Sequence, residues 1–273
     1  MMDQTVHESE YATNSKKIDC RKIVFASDFD DTLYHHDKRG LLESDVEAIE
    51  KFQKAGNIFV LCTGRPAILR DDIQDLIKDR IRFDYEIYSC GSMILDQNQQ
   101  VILSRALPET FVRKAAELTG HVPFKAHQKG RILYSANMDS LDADQGVNMK
   151  DPDLLLEDEV YEISFPKNDP LARQAIKALK LVPGAACYEN AVVADFVRDD
   201  VSKATGLDFI CTLEHVLSEN SAAMGDSFND FSMIEHAKTG FTFPDADQKL
   251  KEIADFEAQS VGEALLKLMD NRD

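Results

Sequence analysis

Short unbroken apolar runs alternate with helix-spaced apolar positions along most of this chain. Ile23-Val24-Phe25-Ala26-Ser27 runs straight into an acidic cluster, as a strand buried on both faces and carrying polar groups at its C-terminal end does. Val46, Ile49, Phe52 and Ala55 then recur at threes, Ser44 and Glu47 spell a capping box, and Gly56 stands where a helix ends. That spacing predicts a helix of about three turns. Ile58-Phe59-Val60-Leu61-Cys62-Thr63 reads as a second buried strand, so the order is that of a βαβ unit. Tyr85–Tyr88, Ala222–Met224 and Phe241–Phe243 add strands, the last two separated by a helical stretch with Phe231, Ile234 and Ala237. The predicted class is α/β, with an open parallel sheet.

The middle of the chain has another texture. Pro108–Thr119 and Leu171–Leu181 have helical spacing, and Val122–Ala126 and Arg131–Ser135 read as paired strands around Lys129-Gly130. Glu159–Phe165 is a further strand, and Ala186–Val197 is strand-like with a turn at Glu189-Asn190. Helices and paired strands in this arrangement predict an α+β insertion between two halves of the parallel sheet. The stretch 137–157 is acidic and weakly patterned, and is expected to be loop with one short helix. The predicted organisation is a polar flexible leader at 1–17, a Rossmann-like core at 18–106 and 197–273, and the insertion at 107–196.

Charge narrows the partners. The formal net charge is -18, and a field of that sign repels nucleic acid, anionic membranes and phosphorylated metabolites alike. Phosphate chemistry on this chain therefore needs local cations, a metal or well-placed Lys and Arg, that override the surroundings. Cysteines at 20, 62, 90, 187 and 211 are scattered and form no C-x-x-C pair, which suggests neither a disulfide framework nor a zinc site and fits a reducing cytoplasm. No apolar run reaches the roughly 18 residues of a membrane span, and the first 17 residues lack the apolar stretch of a signal peptide. Nothing in the sequence sets an oligomeric state.

Four polar clusters follow strands or open helices. Asp28-Phe29-Asp30-Asp31-Thr32 follows the first strand, and residues two apart in extended chain point the same way, so Asp28 and Asp30 can face one site. Paired carboxylates repel unless a cation joins them or one keeps a proton. One could attack phosphorus while the other handles the proton of the departing oxygen. Thr63-Gly64-Arg65 follows the second strand and offers a hydroxyl and backbone N–H groups to a phosphate oxygen. Lys203 opens a predicted helix, and Gly225-Asp226-Ser227-Phe228-Asn229-Asp230 places carboxylates four apart at another helix start. Alone, each has an ordinary explanation: an acidic turn, a turn before Pro66, a solvated lysine, an N-cap. Together they occupy the C-terminal ends of strands, where open α/β sheets build their sites.

These four elements, in this order, resemble the haloacid dehalogenase (HAD) superfamily, whose pattern is D-x-D-x-T, a Thr or Ser after the second strand, a Lys, and G-D-x-x-N-D. The resemblance runs from about Ile18 to the C-terminus. The insertion is similar to the α/β cap (C2B type) of the Cof-type, subclass IIB members, and Val201-Ser202-Lys203 and G-D-S-F-N-D are close to their spelling. Asp31 stands where many relatives have Gly, and Cys90-Gly91-Ser92 where they read Asn-Gly-Ala, so no substrate contact is carried over to position 90; Cys90 is expected to be a buried thiol. The resemblance implies that Asp28 is the nucleophile and Asp30 the general acid/base. It implies Mg2+ held by Asp28, the Asp30 carbonyl and Asp226, with Asp230 acting through water. Thr63, Gly64 and Lys203 would contact the phosphoryl oxygens, with Asn229 positioning Lys203 or the phosphate.

For Arg65, pairing with an acid is expected ahead of phosphate binding. His35 and His36 lie in a predicted loop near the first motif, where solvation is expected ahead of substrate contact. His121 and His127 lack metal-ligand spacing. A proton donor such as Asp30 suits ester hydrolysis, whereas expelling ADP needs none, so the expected activity is a Mg2+-dependent phosphomonoesterase acting on a small phosphorylated metabolite, a sugar phosphate by resemblance. The alternatives are a sugar phosphomutase and a metabolite-sensing protein that keeps the pocket.

Overall fold

The structure is a computed structural model describing residues 22–37, 39–135, 146–149, 151–189 and 192–270. The expected leader, residues 137–145 and 150 of the acidic stretch and Asn190 of the expected turn lie outside the described residues; Gly146–Met149 of that stretch, expected as loop, is a strand, and its short helix falls at Pro152–Leu156. The first half runs β1 (Val24–Ser27), the hairpin β2 (Tyr34–His35) and β3 (Gly40–Leu41), α1 (Glu43–Lys54), β4 (Ile58–Cys62), α2 (Arg70–Ile77) and β5 (Tyr85–Tyr88). β1 pairs in parallel with β4, and β4 with β5, as the βαβ reading requires. The Ser44 capping box does not form: α1 starts at Glu43 after Leu42, without a side-chain cap. A tertiary contact holds the helix start instead, because Asp45 is buried and accepts a hydrogen bond from the Gly262 backbone at 2.9 Å.

Two of the strands missed in the sequence, β6 (Met93–Asp96) and β7 (Val101–Ser104), extend this sheet in antiparallel fashion. The chain then enters a second sheet through α3 (Glu109–Ala116), β8 (Lys125–Gln128), β9 (Ile132–Ser135), β10 (Gly146–Met149), β11 (Val160–Pro166), α4 (Pro170–Leu179), β12 (Ala185–Glu189) and β13 (Val193–Arg198). Their order is β10-β9-β8-β11-β13-β12. One face, with Ala126, Leu133, Ile163, Phe165 and Phe196, packs on Phe111 and Ala115 of α3 and on Ala172 and Ile176 of α4. Period-two alternation turns the intervening polar residues to the other face.

The return half is α5 (Lys203–Leu213), β14 (Ser221–Met224), α6 (Phe231–His236), β15 (Thr239–Thr242), α7 (Gln248–Ile253), β16 (Phe256–Glu257) and α8 (Val261–Asp270). The first sheet reads β16-β15-β14-β1-β4-β5-β6-β7. The chain leaves β1 toward β4 on one side and comes back to β14 on the other, so the C-terminal end of β1 is the topological switch point, where such sheets bind ligands. Both faces of the centre are covered. Phe25, Phe59, Leu61 and Met224 pack under α1, α2 and α8, and Val24, Val60 and Ala223 pack under α5 and α6. Ser92 Oγ donates to the Tyr161 carbonyl at 3.0 Å, tying the segment after β5 to β11 of the second sheet, and Tyr188 Oη of β12 donates to the Val201 carbonyl at 3.0 Å in the segment leading to α5. Among the described residues no helix is long and apolar enough to cross a membrane.

Phe25 sits fully buried with its ring centroid 5.9 Å from that of Phe59, 6.2 Å from Phe52 and 6.3 Å from Phe241. Phe25→Ala is expected to cost about 3–5 kcal/mol in urea unfolding, since three rings fixed by separate elements cannot collapse into the void; a loss under about 1 kcal/mol would show that the site repacks.

Candidate active site

Three loops meet at the switch point. Asp28 leaves the end of β1 with its N–H donating to the Met224 carbonyl of β14 at 3.0 Å, so the neighbouring strand fixes the turn. Lys203 is the first residue of α5, held by a capping box in which Ser202 Oγ accepts from Thr205 N–H and Thr205 Oγ1 accepts from Ser202 N–H. The loop before that helix is clamped by Gly91, at φ +111°, where a Cβ would lie 2.3 Å from the Ser202 carbonyl oxygen. Asp230 follows β14, and its Oδ2 accepts from the N–H groups of Asp226 and Ser227 at 3.2 and 3.1 Å. A Cβ on Gly225 would sit 2.4 Å from the Asp230 side chain, so only glycine lets the loop close over that carboxylate.

Lys203 Nζ, buried, lies 2.6 Å from Asp28 Oδ1 and 2.5 Å from Asp230 Oδ1. Asp226 accepts from Thr32 Oγ1 at 3.3 Å. Carboxylate oxygens of Asp28, Asp226 and Asp230 all fall within 4.8 Å of one another. Burial and the Asp230 charge push Asp28 well above the ordinary carboxyl range against the pull of Lys203. Burial and Asp230 likewise push Asp226 up to about 7. Burial works against the charge on Lys203, but Asp230 and Asp28 outweigh it and hold the ammonium well above its usual range. Three carboxylates face one ammonium, and the excess negative charge shows in the two raised acids. An all-oxygen donor set with that excess fits a hard divalent cation such as Mg2+.

Asp30 is placed differently from Asp28. Arg65 forks it, with Nε 2.9 Å from Oδ2 and Nη2 2.6 Å from Oδ1, while stacking its guanidinium 5.2 Å from the Phe29 ring centroid. His36 Nε2 lies 2.5 Å from Asp30 Oδ1. Burial alone would raise this acid, but Arg65 and then His36 hold it below the ordinary value. The acid pairing expected of Arg65 is thus what the structure has. His36 is half-exposed, as a loop histidine should be, yet it is tied to Asp30. His35 overturns the expectation of solvation: the pleat of the β2–β3 hairpin turns it inward against Phe243, where it is 2% exposed. Asn229 accepts from Ser227 and makes no hydrogen bond with Lys203, whose orientation comes from the two aspartates.

Thr63 is buried at the end of β4, its Oγ1 accepting from Arg65 N–H at 3.1 Å. It opens with Gly64, Asp28, Asp30, Asp226 and Asn229 onto a cavity of about 640 Å3. Cys90 is a buried thiol with its pKa well above the usual range because of burial. The far wall of the cavity is Lys125, Glu162 and Asp195 of the second sheet, none of them picked out in the sequence. Their signal was there as polar residues at every second position in otherwise apolar strands.

Lys203→Met should cost about 3–5 kcal/mol at pH 7, since it leaves buried carboxylates without their counter-charge. An acid with a raised folded-state pKa lets the unfolded chain ionise first, so this penalty grows as pH rises through the ordinary carboxyl range near about 4 and vanishes below it. Urea unfolding at pH 7 and at low pH checks this: a cost that is equal at both, or larger in acid, contradicts the charge assignment.

Known proteins share the sequence pattern and the fold of this chain. A Bacillus subtilis protein named putative phosphatase YkrA is 25% identical over 259 residues, spanning 89% of this chain and 93% of its own length. Phosphoglycolate phosphatase of Archaeoglobus fulgidus is 29% identical over 102 residues, 36% of this chain and 46% of that protein. Among solved structures, the HAD subclass IIB sugar phosphatase BT4131 shares the fold with a TM-score of 0.77 at 22% identity, over 92% of this chain and 99% of that one. The family described as haloacid dehalogenase-like hydrolase matches residues 25–264, a span that takes in the whole acid cluster, Lys203 and the second sheet. The chain belongs to the haloacid dehalogenase-like hydrolase family.

Proposed function

We propose that this protein is a Mg2+-dependent phosphomonoesterase that hydrolyses a small phosphorylated metabolite through an aspartyl phosphate on Asp28. The observation that carries the reading is the buried Lys203 that bridges Asp230 and Asp28, the latter lining a polar cavity. One carboxylate oxygen of Asp28 attacks phosphorus as the bond to the ester oxygen breaks, and a proton from Asp30 goes to the leaving alkoxide. Asp30 then takes a proton from water as that water attacks phosphorus, releasing phosphate and restoring Asp28. Arg65 and His36 hold the Asp30 pKa low, so the proton it passes to the leaving oxygen in the first half arrives with a substrate bound as its monoanion, and the proton it takes from water in the second half leaves with the phosphate. Lys203 and the Thr63–Gly64 turn hold the phosphoryl oxygens against the overall acidity of the chain.

Asp28, the Asp30 carbonyl and Asp226 would hold Mg2+, with Asp230 supporting through water, since its own oxygens are taken by Lys203 and two backbone N–H groups. Bound there, the cation supplies Lewis-acid stabilisation of charge on the phosphoryl group. The 107–196 insertion acts as the cap that shuts the cavity from bulk water. The protein family and the shared fold with a subclass IIB sugar phosphatase support the reading, and a sugar phosphate is the substrate class it favours.

Phosphate release from an aryl or sugar phosphate is expected with Mg2+ and should stop in EDTA. Asp28→Asn should lower kcat by more than about 10^4, as loss of a nucleophile does, with an unchanged fold by circular dichroism. Turnover surviving in EDTA would remove the metal, and an active Asp28→Asn variant would remove the nucleophile. Exchange of phosphate between sugar positions with little release would make the protein a mutase.

A further inference from the structure

A carboxylate offers about four acceptor positions, two on each oxygen, and three of those on Asp30 are taken. Arg65 Nη2 at 2.6 Å and His36 Nε2 at 2.5 Å both reach Oδ1, and Arg65 Nε at 2.9 Å reaches Oδ2. With the guanidinium fork on both oxygens the carboxylate is an acceptor, so His36 donates through its Nε2–H. Among the described residues only one acceptor position is left, on Oδ2, and Asp30 lines the cavity that Asp28 and Asp226 also line.

His36 reaches Asp30 because the chain between them is folded into a clamp. Asp31 turns the backbone at φ +58°, its N–H donates to the Tyr34 carbonyl at 2.8 Å, and its Oδ1 accepts from the His36 N–H at 3.0 Å. The Tyr34 ring stacks on Phe29 with centroids 5.8 Å apart, and the His36 ring meets Tyr34 edge-on at 5.4 Å. Arg65 also rests on Phe29. Both donors to Asp30 are therefore seated on one buried ring, Arg65 directly and His36 through Tyr34. His35 points the other way in β2 and is buried against Phe243, so the hairpin cannot slide without drawing an imidazole out of the core. A half-exposed pair gains little when two free side chains must be ordered to make it. Here the hairpin has already ordered the imidazole.

We propose that His36 is a positioning residue of the reaction, holding the Asp30 carboxyl, with Asp31 and Tyr34 behind it, so that Oδ2 alone exchanges the proton. The proposal rests on the phosphatase reading above. The proton brought by the substrate monoanion moves from Oδ2 to the ester oxygen as the bond from phosphorus to that oxygen breaks and the bond to Asp28 forms. In the second half Oδ2 takes the proton of the attacking water. Without the imidazole a second proton site opens on Oδ1, on the side where His36 faces solvent, and the acid meets the ester oxygen less often, which weakens catalysis that depends on hydrogen-bond reach.

The test is kcat/KM of the full chain with Mg2+ on two aryl esters of similar size, para-nitrophenyl phosphate and phenyl phosphate. The nitro group stabilises the departing oxygen, so the first ester needs little proton donation and the second needs much. Because kcat/KM covers the steps up to loss of the phenol, it isolates the half in which Asp30 is the acid. His36→Phe keeps a ring beside Tyr34 and loses the donor. Its phenyl-to-nitrophenyl ratio should fall by about tenfold, a part of the roughly 10^2 to 10^4 that a placed acid supplies. His36→Gln, whose Nε2 can donate from the same place, should restore most of that ratio. Asp31→Gly, which keeps the left-handed turn and loses the acceptor for the His36 N–H, should lower it in the same direction. A ratio that His36→Phe leaves unchanged, even with both rates lowered, is the mark of a merely structural residue and overturns the proposal, as does a ratio that His36→Gln fails to restore. A wild type that itself favours the nitrophenyl ester by about a thousandfold or more also overturns it and needs no folded variant, because an acid held in place flattens that preference. Wild type that releases phosphate from neither ester removes the underlying phosphatase reading instead.

Discussion

The ammonium of Lys203, shared between Asp28 and Asp230, is the contact on which the arrangement of the site depends. It joins three parts of the chain far apart in sequence: the end of β1, the start of α5 and the loop after β14. Taken out of water with a single partner, any of these charges would be unaffordable; paired and hydrogen-bonded, they become a rigid unit. The pairing leaves the cluster short of positive charge, which is why burial and mutual repulsion raise Asp28 and Asp226 while Lys203 stays firmly charged. The same shortage makes a divalent cation the natural complement of these oxygens.

The backbone is shaped to allow that contact. Gly225 removes a Cβ that would collide with Asp230, and Gly91 removes one that would collide with the loop leading into α5. Position 90 is filled by a thiol buried beside Val197 and Val201. Asp30 stands outside this unit. Its partners are Arg65 and His36, which lower its pKa, whereas burial and then the Asp230 charge raise that of Asp28. Two carboxyls two residues apart are thereby driven in opposite directions, Asp30 toward its ionised form and Asp28 toward its neutral one so long as no further cation joins the cluster.

Much of this could be read from the residues in order. The apolar runs 23–27 and 58–63 became β1 and β4 because strands covered on both faces must be continuously apolar. The paired strands of the insertion formed around Lys129-Gly130 as their alternation required. The failures have physical causes. β6 and β7 are short, and β7 lies on the exposed edge, so neither shows a long pattern. The Ser44 capping box does not form because α1 begins at Glu43, before Ser44 could cap it, and Asp45 in the first turn instead accepts from Gly262, 217 residues away. His35 was expected in solvent because nothing nearby in the chain announces Phe243 as its neighbour.

By itself the sequence determined the α/β class, the inserted second sheet and the residue types that meet at the C-terminal end of β1, because strand burial and motif order are local properties. Only the tertiary structure decided which side chains pair. It put Arg65 and His36 on Asp30, tied Asn229 to Ser227, and turned Lys125, Glu162 and Asp195 onto the cavity that Asp28 and Asp226 also line. Those choices rest on register between strands and on distances of a few ångströms between loops, and a linear order of residues carries neither.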